Sequence, residues 1–192
     1  MMLDSLENRS LDKRGTHPMS SVRVQVSCIA MRDGKIAMIK KLNPAYKTYG
    51  LFIPPGGHVE PTETIEQACV REMREETGLE VSSLEMIGVI TFLNNIIGYH
   101  SVCFLLIAHE VNGALSTTEP EKQTAHWIEL DGIDGNVTVP GYHRDFLDHI
   151  LNRRGFLNAR VEWLPPDDRA KWTIVEGTSV ESGAAEAYVQ VK

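Results

Sequence analysis

The chain has 192 residues, 42% of them apolar, which is the size of one domain with room for an extension. A net charge of −7 argues against extended nucleic-acid binding, which needs a basic face, although a polyphosphate can still bind if divalent ions accompany it. No apolar run reaches membrane-spanning length and the start, MMLDSLENRSLDKRG, has no hydrophobic signal region, so the expectation is a soluble cytoplasmic protein that spans no membrane.

Residues 1–19 are polar and aperiodic and read as a disordered segment. The domain begins at residue 20. Residues 22–31 and 35–41 read as two strands, and Arg32-Asp33-Gly34 between them carries the Asp-Gly signal of a tight hairpin. Residues 43–50 read as a loop and 51–54 as a short strand. Pro54-Pro55-Gly56-Gly57 cannot be helical and marks a sharp turn, where glycine lets the backbone approach a ligand closely. A helix follows. Thr64 with Gln67 predicts a capping box, with Thr62 as the competing cap, and Gly78 falls where a left-handed C-terminal cap is wanted. Ile65, Cys69 and Met73, with Val70 at one side, give that helix an apolar stripe.

Residues 84–92, 101–110 and 125–130 read as further strands, and 144–153 as an amphipathic helix with Phe146, Leu147, Ile150 and Leu151 on one side. Residues 154–192 form a C-terminal extension. Trp163 and Trp172 suggest that part of it docks on the domain or on a partner, while 177–187, rich in Gly, Ala and Glu, reads as flexible. Cys28, Cys69 and Cys103 lie in apolar contexts and are expected to be buried free thiols.

The stretch GHVEPTETIEQACVREMREETGL, residues 57–79, carries the chemistry. At 100° per residue, Glu72, Glu75 and Glu76 share an arc of about 100° on the helix. Carboxylates that close either shift their pKa values or recruit a cation. An oxygen-only donor set suits Mg²⁺ or Mn²⁺ better than zinc, which prefers nitrogen and sulfur. Arg71, one turn before Glu75, is placed to hold that carboxylate. A solvated acidic helix is the plainer reading of REMREE alone, but the spaced Gly57 and Glu63 and the preceding PPGG loop speak against it.

Gly57, Glu63, Arg71, Glu72, Glu75, Glu76 and Gly78, with apolar Met73 and Leu79, fit G-x5-E-x7-R-E-U-x-E-E-x-G-U, U being bulky and apolar. This pattern resembles the Nudix box, the metal-binding loop and helix of Nudix hydrolases, which cleave nucleoside diphosphates linked to another moiety. The resemblance covers about residues 20–153 and implies an α/β fold, a Nudix-like α/β/α sandwich with a mixed β-sheet between helices. It implies that Glu72, Glu75 and Glu76 bind Mg²⁺ or Mn²⁺ with the Gly57 carbonyl, while Arg71 and Glu63 brace the acidic cluster. Lys41 ends a strand where MutT-like members place a phosphate contact. An outer carboxylate, as metal ligand or general base, is expected before the strand that contains Trp127; Glu121 is favoured and Glu119 is its competitor. None of the seven histidines forms a metal-binding pair, and His58, beside the box glycine, is the one expected to face the substrate.

Family markers for other subclasses are absent: Asn94 stands where ADP-ribose enzymes often have proline, Ile96 and Ile97 where dinucleoside-polyphosphate enzymes have tyrosine, and no SQPWPFP stretch occurs. The resemblance therefore points to a MutT-like pyrophosphohydrolase releasing a nucleoside monophosphate and pyrophosphate. ADP-ribose, nucleotide-sugar or dinucleoside-polyphosphate hydrolysis is the alternative, and a non-catalytic nucleotide sensor the alternative outside the enzymes. The expected partner is a small-molecule nucleotide, and the protein a monomer or homodimer.

Overall fold

Asp33 and Gly34 both take left-handed backbone angles, φ 53° and 75°, as a two-residue primed turn requires. They join β1 (Val22–Arg32) to β2 (Lys35–Lys41) in the hairpin that the Asp-Gly signal predicts. The computed structural model describes residues 21–118, 120–153, 155–164 and 169–175. The segment 1–19, Glu119, Pro165-Pro166 and the stretch 177–187 lie outside the described residues. After the hairpin come β3 (Phe52–Ile53), α1 (Ile65–Thr77), β4 (Glu80–Asn94), β5 (Tyr99–Asn112) and β6 (Gln123–Glu129). A 3-10 turn at Ile133–Gly135, α2 (Gly141–Arg153), β7 (Leu157–Trp163) and β8 (Ala170–Ile174) complete the order.

The strands run β3-β2-β1-β5-β4-β7-β8, with β6 also paired to β2. β1–β5 and β4–β7 are parallel and the other pairs antiparallel, so the sheet is mixed. Side chains alternate across a strand, and β1 shows it: Cys28 and Ala30 join the cluster under α1, while Ile29 joins the cluster under α2. The α1 cluster is Val26, Ala37, Ala68, Cys69, Met73 and Leu106 among others; the α2 cluster includes Ile36, Met38, Ile90, Leu105, Phe146 and Leu147. Two helices thus cover opposite faces of one sheet, the α/β sandwich expected. All three cysteines are buried and free. No helix among the described residues is long and apolar enough to cross a membrane.

Three differences from the sequence reading have physical causes. β4 and β5 run past the apolar stretches because the ladder continues through the pairs Glu80 with Asn112, Val81 with Val111 and Asn94 with Tyr99, and Ser82 Oγ donates to Glu110 Oε2 at 2.5 Å. α2 starts at Gly141 rather than 144, because the Pro140 carbonyl accepts the amides of His143 and Arg144 and opens the helix there. Beyond residue 153 the chain adds β7 beside β4 and β8 beside β7, so the sheet continues into what the sequence presents as an extension. Leu157, Ala159 and Val161 are essentially fully buried. Gly88 makes their approach possible, since a Cβ there would lie 2.7 Å from both the Cβ and the carbonyl oxygen of Leu157. Trp163 stacks on Phe92 with ring centroids 6.4 Å apart, and Trp172 Nε1 donates to Asp145 at 2.8 Å, so both tryptophans dock on the domain.

Candidate active site

Both ends of α1 are pinned. Thr64 is extended and its hydroxyl accepts the Gln67 amide, while the Gln67 side chain accepts the Thr64 amide at 2.8 Å. Thr62 has φ 75° and lies outside the cap. At the far end Gly78, φ 69°, donates its amide to the Arg74 carbonyl. Ser116 N–H donates to the Thr77 carbonyl and the Thr118 hydroxyl to that of Glu75, so the chain after β5 caps the remaining acceptors. With Ala68, Cys69 and Met73 buried on the sheet, the arc of Glu72, Glu75 and Glu76 turns toward the glycine loop.

That loop runs antiparallel along β1. Val26 N–H donates to the Gly57 carbonyl at 2.9 Å, Cys28 N–H to the Pro55 carbonyl at 2.9 Å, and Val59 N–H to the Val24 carbonyl at 3.1 Å. The fit excludes side chains: a Cβ at Gly56 would lie 2.1 Å from the Val26 carbonyl oxygen, and one at Gly57 2.3 Å from Glu72 Oε1. The Gly57 carbonyl, expected as an ion ligand, therefore has one lone pair already committed to Val26 and one left.

Arg71 organises the first half of the cluster. Its Nε and Nη2 grip Glu63 at 2.7 and 3.0 Å, Nη1 reaches Glu72 at 2.8 Å and Glu75 at 3.2 Å, and Nη2 also donates to the His58 carbonyl at 2.9 Å. The guanidinium holds Glu63 down to about 2. Burial pushes Glu72 above the ordinary carboxylate range; Arg71 opposes that shift, and the charges of Glu76 and Glu75 add to it. The second half centres on Glu76, whose carboxylate accepts the Gly56 amide at 2.8 Å and Lys41 Nζ at 3.0 Å.

The sequence expectation of three carboxylates poised together is refined here. Among the described residues no three acidic or metal-ligating side chains converge in coordinating geometry, because Arg71 and Lys41 hold them as counter-ions. The donor set still fits a divalent ion. Its carboxylates crowd one helical turn, Glu72 rests against a glycine that leaves room for nothing larger, and Glu75 is 54% exposed with its carboxylate held by Arg71 at 3.2 Å.

Two other expected residues stand apart from the cluster. Glu121 is exposed on the turn before β6, and its carboxylate takes no hydrogen bond or ion pair among the described residues. The His58 ring lies beside Tyr99, whose Oη is 3.5 Å from Nε2, and Arg23 covers the Tyr99 ring at 5.0 Å. Burial, then the Arg23 charge, lower its pKa. The residue that β6 does bring to the acidic cluster is Gln123, which donates to Glu76 Oε1 at 2.9 Å and accepts from Lys41 at 2.5 Å. Sequence reading misses it. The signal lies in strand register, Lys41 opposite Gln123 across β2 and β6, which no local motif announces.

A mixed sheet between two helices, with a capped acidic helix closing a glycine bend, is the architecture of Nudix domains. The NUDIX domain profile matches residues 21–153, more than half of the chain, and the chain belongs to the Nudix hydrolase family. It is 34% identical over 110 residues to an ADP-ribose pyrophosphatase of Methanocaldococcus jannaschii, covering 57% of this chain and 63% of that protein. It is 26% identical over 151 residues to the uncharacterized Nudix hydrolase YvcI of Bacillus subtilis, covering 77% and 90% of the two chains. The crystal structure of a MutT protein from Bacillus halodurans superposes with a TM-score of 0.66 at 21% identity, over 80% of this chain and 97% of that one, a likeness of fold.

Proposed function

We propose that the protein hydrolyses a nucleoside diphosphate linked to another moiety, and that its substrate is a nucleoside triphosphate, cleaved to the monophosphate and pyrophosphate. One observation carries this reading. Glu72, Glu75 and Glu76 occupy one turn of a helix whose neighbouring bend, Gly56-Gly57, has no space for side chains, and Arg71 and Lys41 balance their charge. Glu72, Glu75 and Glu76 would hold Mg²⁺ or Mn²⁺ with the remaining lone pair of Gly57. An ion held by these residues would supply neutralisation of phosphate charge and a lowered pKa for an attacking water. Arg71 opposes the burial-driven rise at Glu72 and orients Glu72 and Glu75, while its grip on Glu63 fixes its own position. Lys41, whose ammonium stands 3.0 Å from Glu76, would add a positive charge for the phosphates. The Arg23–Tyr99–His58 surface, joined to Arg71 through the His58 carbonyl, offers a cationic and aromatic face for the nucleoside. Glu121, exposed on the turn before β6, stays the candidate outer carboxylate, as metal ligand or general base.

The similarity to an ADP-ribose pyrophosphatase favours ADP-ribose as the second reading. Against it, Asn94 is buried and its side-chain oxygen accepts the Ile96 and Ile97 amides, committing that position to holding its own loop. Formation of the nucleotide products, read by chromatography, across nucleoside triphosphates, ADP-ribose, nucleotide sugars and dinucleoside polyphosphates, with Mg²⁺ and with Mn²⁺, ranks the two. A triphosphate should give the highest kcat/KM, and ADP-ribose in first place would replace the leading reading. Glu75→Gln should cut kcat by about a hundredfold or more at unchanged Tm, and near-normal turnover would remove Glu75 from the ion site.

A further inference from the structure

Glu76 differs from Glu72 and Glu75, which are bonded by Arg71, in that both of its carboxylate oxygens are held by other parts of the protein. Its side chain is 9% exposed, against 14% for Glu72 and 54% for Glu75. Oε2 accepts the Gly56 amide, and Oε1 accepts both Lys41 Nζ and Gln123 Nε2. Gln123 is itself only 3% exposed, and its own oxygen accepts the same Lys41 ammonium. The sheet register produces this geometry. Lys41 and Gln123 face each other across β2 and β6, where Cβ atoms stand about 5 Å apart on one face. A neutral amide is the side chain that can give a proton donor to the anion and an acceptor to the cation at once. A carboxylate there would repel Glu76, and a hydrocarbon would serve neither.

We infer that Gln123 is a positioning residue that holds the Lys41 ammonium when a divalent ion claims Glu76. The inference rests on the reading of Glu72, Glu75 and Glu76 as the ion-holding residues. Before the ion arrives, Lys41 is the resident counter-ion of Glu76. A largely buried ammonium deprived of its carboxylate needs another acceptor, or its desolvation is charged against ion binding. Gln123 Oε1 is that acceptor. Its Nε2 meanwhile keeps a donor on Glu76 Oε1, so the carboxylate holds its orientation as its cation changes. Without the amide, the incoming ion must displace an ammonium that has nowhere to go.

The test is Mn²⁺ binding to the full chain without substrate, read from the electron paramagnetic resonance of free Mn²⁺. It compares the unaltered protein, Gln123→Leu, Lys41→Met and the double variant, with Gln123→Met as a second replacement of near-equal volume should the leucine fail to fold. Loss of a charge-assisted hydrogen bond should raise the Mn²⁺ concentration for half-saturation about tenfold in Gln123→Leu or Gln123→Met. In the Lys41→Met background the same change should shift it less than about twofold, because no ammonium then has to be housed. A merely structural role would lower Tm alike in both backgrounds without this dependence on Lys41. An unchanged half-saturation in the single variant, or equal shifts in both backgrounds, overturns the inference. Glu75→Gln in the same titration separates the two levels. If it leaves Mn²⁺ binding intact, the ion-site reading itself fails; if it abolishes binding while Gln123 proves indifferent, only the role of Gln123 fails.

Discussion

Gly56 and Gly57 are adjacent, yet substitution of each should break a different property. At Gly56 the obstacle is backbone, the Val26 carbonyl oxygen, and φ is 153°. Alanine there must push the loop off β1, and Gly56→Ala should lower stability by about 1–3 kcal/mol, measured by denaturant unfolding. At Gly57 the obstacle is the far end of the Glu72 side chain, which can swing but is held by Arg71 at 2.8 Å. Gly57→Ala should therefore leave Tm within a few degrees and reduce kcat by at least about tenfold, as a displaced ligand does. Equal Tm losses in the two variants would mean that the loop, not the carboxylate, absorbs both changes. Glu63 gives a pH counterpart. Held down to about 2 by Arg71, it keeps its charge through mild acid, so its carboxylate carbon resonance should titrate well below the ordinary glutamate midpoint. In Arg71→Ala the midpoint should return toward 4.5, the value for an unperturbed glutamate.

At the scale of elements, α1 and α2 are tuned in opposite ways. α1 depends on its caps, and Thr64→Ala removes the hydroxyl that accepts the Gln67 amide. About 1 kcal/mol of stability should go with it. α2 carries an acid sensitivity. The His143 ring lies 4.5 Å from Tyr142 and 6.5 Å from Phe146, and burial lowers its pKa from 6.5 to about 3. The unfolded chain takes up this proton near pH 6.5 and the folded chain only near 3. The unfolded state thus binds more protons between those values, and folding is favoured fully above pH 6.5 and progressively less as pH falls toward 3. His143→Gln should flatten the fall in Tm between pH 6.5 and 4 relative to the unaltered protein. An unchanged slope would show that other groups set the acid limit.

For the whole molecule, what the sequence reveals follows the range of the interactions. α1 is legible because its determinants are local: Thr64 with Gln67, the apolar stripe through Cys69 and Met73, and Gly78 at the end. The Asp33-Gly34 hairpin is legible for the same reason. The partners of Glu76 are not, because Gln123 bonds a lysine 82 positions away through a strand register that depends on the complete sheet. β7 is an intermediate case. Leu157, Ala159 and Val161 alternate with Asn158, Arg160 and Glu162, an ordinary strand pattern, but nothing nearby names β4 as the neighbour. Removal of residues 155–192 would uncover the α2 cluster that those three residues close. Such a truncation should lose cooperative thermal unfolding or drop Tm by more than about 10 °C, read by circular dichroism. A well-folded truncated chain would mean that β7 and β8 merely decorate the domain.

The position of β4 between β5 and β7 also bears on synthesis. While the chain leaves the ribosome, every residue of the glycine bend, the acidic helix and β6 is available well before residue 157. During that interval β4 has a hydrogen-bonding partner on one side only, and its other edge is open to any extended segment, including one from a neighbouring nascent chain. Its natural closing piece reaches it last and must arrive parallel, by way of α2. Yield in the cell should then depend on how quickly that final stretch is translated. Slow codons just ahead of it would lengthen the exposure, whereas the same codons placed after residue 175 should leave soluble yield unchanged.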